Sequence, residues 1–173
     1  MIDPAKSLLW WIIPNVLAGM PMPFIHPERR LNSGGALDEY EDELPELYSS
    51  GVRAVVSLLN IPSDATVFES AGFRFLCLPV PDGGTPTIEQ AREFIRFVDQ
   101  QRRVQSPVAV HCEAGLGRTG TMVAVYLISQ GETAGAAIRR IREVEKVAVE
   151  TPRQIQFLEQ FAERIRRADL ESP

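Results

Sequence analysis

Short apolar runs alternate with longer amphipathic segments along the chain. Three of these runs are rich in β-branched residues and are bounded by Gly or Pro, a pattern typical of buried strands. They lie at Arg53–Leu59, Arg74–Val80 and Pro107–Cys112, and a further strand is predicted at Val16–Met20. Each run is shorter than an ordinary buried helix, so we expect the four to join in one sheet.

Between the strands, apolar residues recur at the spacing of one helix face, with charged residues on the opposite face. Helices are predicted at 37–48, 87–105, 121–128 and 133–145, and from Thr151 onward. Thr85 and Pro86 supply a plausible N-cap and first-turn proline for the second of them. The alternation predicts an α/β fold, in which helices flank a central, mainly parallel twisted sheet of about four to five strands. Sites in such folds lie at the carboxyl ends of the strands.

An aromatic and aliphatic run, Trp10-Trp11-Ile12-Ile13, precedes the first predicted strand and ends at Pro14. Because it is far too short to span a membrane, we expect it to cover the edge of the core or the rim of a site.

Composition and charge limit the classes of function. The chain has 173 residues, 45% of them hydrophobic, and a formal net charge of −5. These values are typical of one globular domain, so we interpret residues 1–173 as a single domain and expect a monomer. A net negative charge argues against general electrostatic attraction to nucleic acid or to anionic membranes. Any anion must therefore be bound by a local arrangement of residues.

The two cysteines are too few for a disulfide framework, which indicates a reducing compartment and a cytoplasmic location. Cys77 lies within an apolar strand, so we expect it in the core, and a regulatory disulfide with Cys112 is the less favoured alternative. Cys112 follows a predicted strand and is the better candidate for chemistry.

The segment from Val110 to Gly120 joins a predicted buried strand to a predicted buried helix. Cys112 and Arg118 lie at its two ends, and Gly115 and Gly117 permit backbone conformations that turn successive N–H groups toward a bound anion. Together with the positive end of the following helix, this pattern predicts a phosphate-binding loop. The predicted loop consists of His111, Cys112, Glu113, Ala114, Gly115, Leu116, Gly117 and Arg118.

These residue types suit a phosphocysteine mechanism. A helix N-terminus and a nearby cation stabilise a thiolate, so we expect Cys112 to be ionised at neutral pH and to act as a nucleophile. The planar fork of Arg118 would hold two oxygens of a phosphoryl group, which a lysine could not reproduce. Thr119 would donate its hydroxyl to the sulfur when the phosphocysteine breaks down, and we expect His111 to order the loop.

A purely structural loop, a nucleotide-binding loop and a metal site are all less favoured here. A cysteine at the end of a strand is often only a small buried apolar residue, but packing does not require a thiol and a guanidinium around a glycine turn. The segment lacks the Gly-Lys-Ser/Thr of nucleoside-triphosphate loops. His111 and Cys112 are adjacent and no second Cys or His cluster completes a zinc site, so we expect neither a metal nor another cofactor.

With His-Cys, five residues and Arg-Thr, the chain resembles the cysteine-dependent protein tyrosine phosphatase superfamily. It is similar especially to the small atypical dual-specificity phosphatases of the VHZ type, and the resemblance extends over nearly the whole chain. The further matching segments are 13–20, Val55–Leu58, Pro81-Asp82, and Val149–Thr151 with Gln154. The resemblance implies a protein tyrosine phosphatase-like fold and hydrolysis of phosphate monoesters.

The family mechanism also implies a general acid that protonates the leaving oxygen. Asp82 follows a predicted strand and precedes a predicted helix, as the acid of this family does; the competing interpretation is an ordinary Asp-Gly turn. The resemblance further implies that Gln154 orients the attacking water. However, Thr151-Pro-Arg-Gln154 is equally a capping box at the start of a helix.

The chain departs from the larger tyrosine phosphatases at the acid. Their Trp-Pro-Asp is replaced by Val80-Pro81-Asp82, and no counterpart of their phosphotyrosine recognition loop is present. A shallower cleft is implied, which would admit phosphoserine and phosphothreonine beside phosphotyrosine. The negative charge of Glu113, in a loop without lysine, disfavours highly phosphorylated inositides.

The expected ligands are a phosphorylated protein or peptide and, in the loop, oxyanions such as phosphate, sulfate or vanadate. Two alternatives stay open: the same chemistry on phosphoinositides, nucleotides or RNA 5′-phosphates, and a non-catalytic module that binds phosphoresidues. Outside the loop, we interpret His26 as an ordinary loop residue. The cluster of Arg139, Arg140 and Arg142 is interpreted as an exposed helix face.

Overall fold

A computed structural model describes residues 9–23, 43–61 and 63–171 of the chain. In chain order the strands are β1 (Trp10–Ile13), β2 (Leu17–Met20), β3 (Ala54–Ser57), β4 (Arg74–Cys77) and β5 (Val108–His111). The helices are α1 (Glu43–Ser49), α2 (Asp64–Ser70), α3 (Ile88–Arg103), α4 (Gly117–Ser129), α5 (Ala134–Val144) and α6 (Pro152–Glu171). None of the helices in these ranges is both long and apolar enough to cross a membrane.

The five strands form one sheet in the order β1-β2-β5-β3-β4. All neighbouring strands are parallel except β1, which pairs antiparallel with β2. This arrangement confirms the α/β class and the mainly parallel sheet. Strand β5 lies at the centre, so the loop that follows it opens at the middle of the carboxyl edge.

The two faces of the sheet are covered by different helices. Side chains of α3, α4, α5 and α6 pack on the face that carries Val108 and Val110, whereas α1 and α2 cover the face that carries Ala109. Helix α4 is enclosed: every residue from Gly117 to Ile128 is buried. The N-terminus of α4 is therefore held rigidly by packing on all sides.

The aromatic run near the N-terminus covers the edge of the core, as one of its two interpretations predicts. It does so as strand β1, with Trp10 and Ile12 buried. A side-chain carbon at Gly19 would overlap the ring of Trp10, so glycine is required opposite this tryptophan.

Several element boundaries differ from the prediction. Thr87, rather than Thr85, caps α3, because its hydroxyl accepts from the Gln90 N–H and the Gln90 side chain accepts from the Thr87 N–H. Pro86 precedes this cap. Helix α4 starts four residues before the predicted Thr121. The seven-residue α2 was not predicted, since so short a pattern carries little periodic signal.

Strand β4 is an edge strand, with Arg74 and Cys77 exposed. The prediction that Cys77 lies in the core is therefore wrong: an apolar run shows a strand, but not whether a neighbour covers both of its sides. The predicted helix at 37–48 is described only from Glu43, and His26 lies outside the described residues.

Candidate active site

The predicted phosphate-binding loop joins the central strand β5 to the enclosed helix α4. Gly115 has a φ of 76°, and a side chain there would overlap the backbone of Met20 and Pro21. The Glu113 carbonyl accepts a 2.9 Å hydrogen bond from the Met22 N–H, which ties the loop to the end of β2. Glycine at position 115 is thus required both by the backbone conformation and by the close approach of β2.

The loop has unused backbone donors. Within the described residues, none of the N–H groups of residues 113–117 donates to a protein acceptor. These groups lie beside the N-terminus of α4, where the helix dipole favours negative charge. Such an arrangement suits a tetrahedral oxyanion.

Cys112 is only 2% exposed and lies at the start of the loop. The Thr119 hydroxyl donates to its Sγ over 3.1 Å and accepts from its backbone N–H over 2.9 Å. Because one hydroxyl contacts both groups, the first turn of α4 fixes the position of the sulfur. The Thr119 hydroxyl is thus within hydrogen-bond distance of the sulfur; that it assists the breakdown of a phosphocysteine stays a prediction.

His111 is fully buried at the end of β5. Its Nδ1 lies 3.0 Å from the Cys112 carbonyl oxygen, and because that oxygen only accepts, Nδ1 carries the hydrogen. The ring also packs 5.9 Å from the ring of Phe68, centroid to centroid. This geometry fits the predicted role of ordering the loop.

Arg118 connects the loop to the segment that carries Asp82. The guanidinium is 7% exposed; it pairs with the Asp82 carboxylate at 3.0 Å and donates to the Val80 carbonyl at 3.1 Å. Asp82 itself is 94% exposed. The candidate acid therefore meets the candidate phosphate-binding cation at the mouth of the loop, although 36 positions separate them in the sequence.

Gln154 is fully buried beside the loop. Its Oε1 accepts from the N–H groups of Glu150 and Thr151, and the Thr151 hydroxyl accepts from the Gln154 N–H, so the predicted capping box is confirmed. The Gln154 Nε2 donates to the Gly84 carbonyl over 3.2 Å. That Gln154 orients water stays a prediction, whereas its contact with the acid loop is a structural fact.

Sequence reasoning missed a turn that contacts both loops. Residues 148–151 run between α5 and α6, and Arg142 donates to the carbonyls of Ala148 and Val149. The interpretation of the arginine cluster as an exposed helix face is confirmed for Arg139 and Arg142, whereas Arg140 is half-buried and paired with Glu132. The family resemblance pointed to Val149–Thr151 and Gln154, but nothing in the sequence indicated that Arg142 contacts this turn.

The described residues contain no group of three or more His, Cys, Asp or Glu side chains that could hold a metal ion. Their two cysteines are both free thiols. One loop and the start of α4 bring Cys112, Arg118 and Thr119 together. Asp82 reaches this loop from the segment after β4, and Gln154 reaches it from the first turn of α6.

Comparison with known proteins agrees with this geometry. The family described as "Polymorphic toxin system, DSP-PTPase phosphatase" matches residues 32–132. The mouse dual specificity protein phosphatase CDC14B is 36% identical over 149 residues, which cover 86% of this chain and 30% of that protein. The tyrosine-protein phosphatase cdc-14 of Caenorhabditis elegans is 35% identical over 155 residues, 86% of this chain and 20% of that protein. The chain thus spans less than a third of either relative.

Solved structures share the fold. Tk-PTP in its active form superposes with a TM-score of 0.73 at 28% identity, covering 92% of this chain and 99% of that one. PTPMT1 in complex with PI(5)P superposes with a TM-score of 0.74 at 23% identity, covering 94% and 99%. The order of the sheet, the loop after its central strand and the similarity to these solved structures together define a protein tyrosine phosphatase fold. The chain belongs to the dual-specificity phosphatase family, as a small atypical member of the cysteine-dependent superfamily.

Proposed function

We propose that this chain is a metal-independent phosphatase that hydrolyses phosphotyrosine, phosphoserine and phosphothreonine monoesters through a phosphocysteine. One observation carries the proposal: a single loop at the N-terminus of α4 presents Cys112 and Arg118, with the Thr119 hydroxyl 3.1 Å from the sulfur. A module that only binds phosphate needs no thiol held in this way.

In the first step the Cys112 thiolate attacks phosphorus, the P–O bond to the leaving group breaks, and Asp82 gives its proton to the leaving oxygen. Arg118 and the backbone N–H groups of the loop hold the three equatorial oxygens. The substrate's phosphoryl group competes with Asp82 for Arg118. Its binding releases the Asp82 carboxyl group, which then faces the leaving oxygen.

In the second step a water attacks the phosphorus of the phosphocysteine. Its proton passes to the Asp82 carboxylate, the P–S bond breaks, and inorganic phosphate leaves. The Thr119 hydroxyl stabilises the sulfur as it regains its negative charge. We expect Gln154 to orient this water through the second hydrogen of its Nε2, because its Oε1 is already occupied by two backbone donors.

The openness of the site supports the breadth of the substrate class. Asp82 is almost fully exposed, and Glu113 and Ala114 on the loop are exposed as well. A short phosphoserine side chain can therefore reach the sulfur without a deep pocket around it. We also propose a cytoplasmic location, because the thiol chemistry requires a reducing compartment.

Phosphate release from a substrate panel tests the function. The panel contains phosphotyrosine, phosphoserine and phosphothreonine peptides, a phosphoinositide and a nucleotide, all with EDTA present. The variants are Cys112→Ser and the matched control Cys77→Ser, which makes the same change at the exposed edge strand. We expect peptide turnover by the wild type and by Cys77→Ser, and a loss on the order of 10⁶-fold in Cys112→Ser, as when an enzyme of another class loses its nucleophile.

Tungstate binding, measured by calorimetry, shows whether Cys112→Ser still folds and binds an oxyanion. Retained binding with lost turnover supports the nucleophile. Turnover that survives in Cys112→Ser overturns the mechanism. A clear preference for the lipid or the nucleotide keeps the mechanism but replaces the proposed substrate class, and no release from any substrate favours the binding module.

A further inference from the structure

The turn at residues 148–151 contacts both halves of the candidate site. Toward the phosphate-binding loop, the Val149 N–H donates to the Leu116 carbonyl over 3.4 Å. Toward the acid loop, the Thr151 hydroxyl donates to the Gly83 carbonyl over 3.3 Å. The position of this turn therefore bears on both loops at once.

The backbone of the turn is strained. Val149 has a φ of 59°, in the left-handed region that β-branched residues rarely adopt. Such a conformation is energetically unfavourable and persists only where surrounding contacts enforce it. Ala148 and Val149 are both fully buried, so the contacts that enforce the turn are around them in the fold.

Arg142 supplies the polar part of these contacts. From the last turn of α5, its Nε donates to the Ala148 carbonyl over 3.0 Å and its Nη2 donates to the Val149 carbonyl over 2.8 Å. One edge of a planar guanidinium thus holds two successive carbonyls, a geometry that the single ammonium of a lysine cannot reproduce.

Gly120 has no side chain, and this leaves room for the turn to lie against α4. A side chain at this position of α4 would lie 2.9 Å from the Val149 nitrogen and 3.0 Å from the Ala148 Cβ. The turn is therefore pressed directly against the first turn of α4, between the helix and the guanidinium. Loss of the guanidinium removes the donors to both carbonyls and leaves the strained conformation with fewer polar contacts.

The next residues reach the acid loop from this fixed point. Gln154, whose Oε1 holds the N–H groups of Glu150 and Thr151, donates to the Gly84 carbonyl. Gly83 and Gly84 directly follow Asp82 in the chain. A shift of the turn thus moves two hydrogen bonds of the acid loop but only one of the phosphate-binding loop, the 3.4 Å bond from Val149 to Leu116. The contacts of Cys112 with Thr119 are made within the loop and α4.

We infer that Arg142 is a positioning residue for proton donation: by holding the turn at 148–149 it sets the place of Asp82 relative to the leaving group. The inference rests on the proposed phosphatase function. Arg142 contacts neither the sulfur of Cys112 nor the place of the substrate. Its loss therefore acts on the step in which Asp82 protonates the leaving oxygen, and it leaves the oxyanion site in place.

The test uses a series of aryl phosphates whose leaving groups range from good to poor. Arg142→Ala is compared with Arg142→Lys and with the control Arg139→Ala. Arg139 lies on the same helix as Arg142, and its guanidinium makes no hydrogen bond to any of the described residues. We expect kcat/KM of Arg142→Ala, which reports the step that expels the leaving group, to fall about tenfold or more for poor leaving groups, within the 10²-fold range that misplacement of reacting groups produces. For good leaving groups the loss is small, because they need little protonation.

Two further measurements separate positioning from general loss of structure. The tungstate affinity of Arg142→Ala should stay near the wild-type value. The kinetic constants are expressed per tungstate-binding site, so that unfolded protein does not lower them. Arg142→Lys behaves more like Arg142→Ala than like the wild type, and Arg139→Ala matches the wild type.

Equal losses for good and poor leaving groups, or an Arg142→Ala variant that matches Arg139→Ala, would overturn the inference. A loss of tungstate affinity as large as the loss of kcat/KM would also overturn the inference, since it would place the effect in the phosphate-binding loop. A wild type that turns over no aryl phosphate contradicts the proposed function itself, and the inference with it.

Discussion

The two halves of the candidate site are built in different ways. The phosphate-binding loop lies between the central strand and an enclosed helix, and Cys112 and Arg118 are almost fully buried. The acid loop follows an edge strand, and Asp82 is 94% exposed. One half is thus part of the core, whereas the other is attached to the surface by a few hydrogen bonds.

This difference matches what each half has to do. A nucleophile and an anion site need fixed geometry, which a packed core supplies. An acid must instead let the substrate in, release Arg118 and then meet the leaving oxygen, and an exposed loop can move to do so. We therefore expect loss of the buried cation Arg118 to disrupt binding and turnover together, and substitutions in the exposed half to affect turnover alone.

The largest effect beyond loss of the nucleophile is expected at Arg118. Arg118→Ala removes the buried guanidinium that donates to the Val80 carbonyl and that, in the proposed mechanism, holds the phosphoryl oxygens. Turnover should fall about 10³–10⁵-fold, the range found where an arginine stabilises a transferring phosphoryl group. Arg118→Lys, which keeps the charge but not the fork, should recover little of it.

Calorimetry with tungstate checks that binding is lost together with turnover. Thermal unfolding in both variants shows whether the protein is still folded. Tungstate affinity that survives in a folded Arg118→Ala protein would contradict the view that the buried half both binds the anion and supports its transfer.

A smaller and more selective effect is expected at Asp82. Asp82→Asn should lower kcat/KM, which reports the step that expels the leaving group, about 10²–10⁴-fold for poor leaving groups, the range for loss of a general acid, and much less for good ones. Thermal stability should barely change, because an ion pair with so exposed a partner contributes little. Tungstate should bind at least as tightly as to the wild type, since Asp82 no longer competes for Arg118.

The measurement is kcat/KM against leaving group, with Asp82→Glu as the variant that keeps the carboxyl group; kcat also contains the second step, in which Asp82 is the proposed base. Uniform loss across all leaving groups would remove Asp82 from the acid role. Weaker tungstate binding in Asp82→Asn would mean that the exposed half also takes part in holding the anion.

The same division explains how much the sequence could predict. Cys112, Arg118 and Thr119 lie within eight consecutive positions, so local backbone rules are enough to place them on one loop. Asp82 meets Arg118 through tertiary structure, and resemblance to a family, rather than residue spacing, pointed to it. Gln154 gave two interpretations because a capping box and a water-orienting amide require the same residue.

Features that depend on distant neighbours could not be predicted. The left-handed backbone of Val149 arises from its contacts with Arg142 and Gly120, not from its own preference. The exposure of Cys77 depends on whether a sixth strand pairs with β4, and an apolar run is the same in either case. Sequence periodicity identifies elements and their buried faces, but not which strand ends the sheet.

The smallest effect is expected at Cys77, the last residue of the strand that precedes the acid loop. Burial of its sulfur, chiefly, and the nearby Asp64 carboxylate raise the pKa of the Cys77 thiol above 9.0. The thiol therefore stays protonated at neutral pH, where it donates to the Leu59 carbonyl over 3.2 Å. We expect iodoacetamide at neutral pH to label Cys112 first, although Cys77 is the more exposed residue, and tungstate to protect Cys112 alone.

The sign of the pH dependence follows from the same pKa. The unfolded chain loses the Cys77 proton at a lower pH than the folded protein does, so the stabilisation present at neutral pH is lost as the pH rises through the ordinary titration range of a thiol. Chemical unfolding between pH 7 and 10 should show a steeper loss of stability in the wild type than in Cys77→Ser, with turnover near neutral pH alike in the two. Faster labelling of Cys77 than of Cys112 at neutral pH would reverse the contrast, because the reactive thiol would then belong to the edge strand rather than to the buried loop.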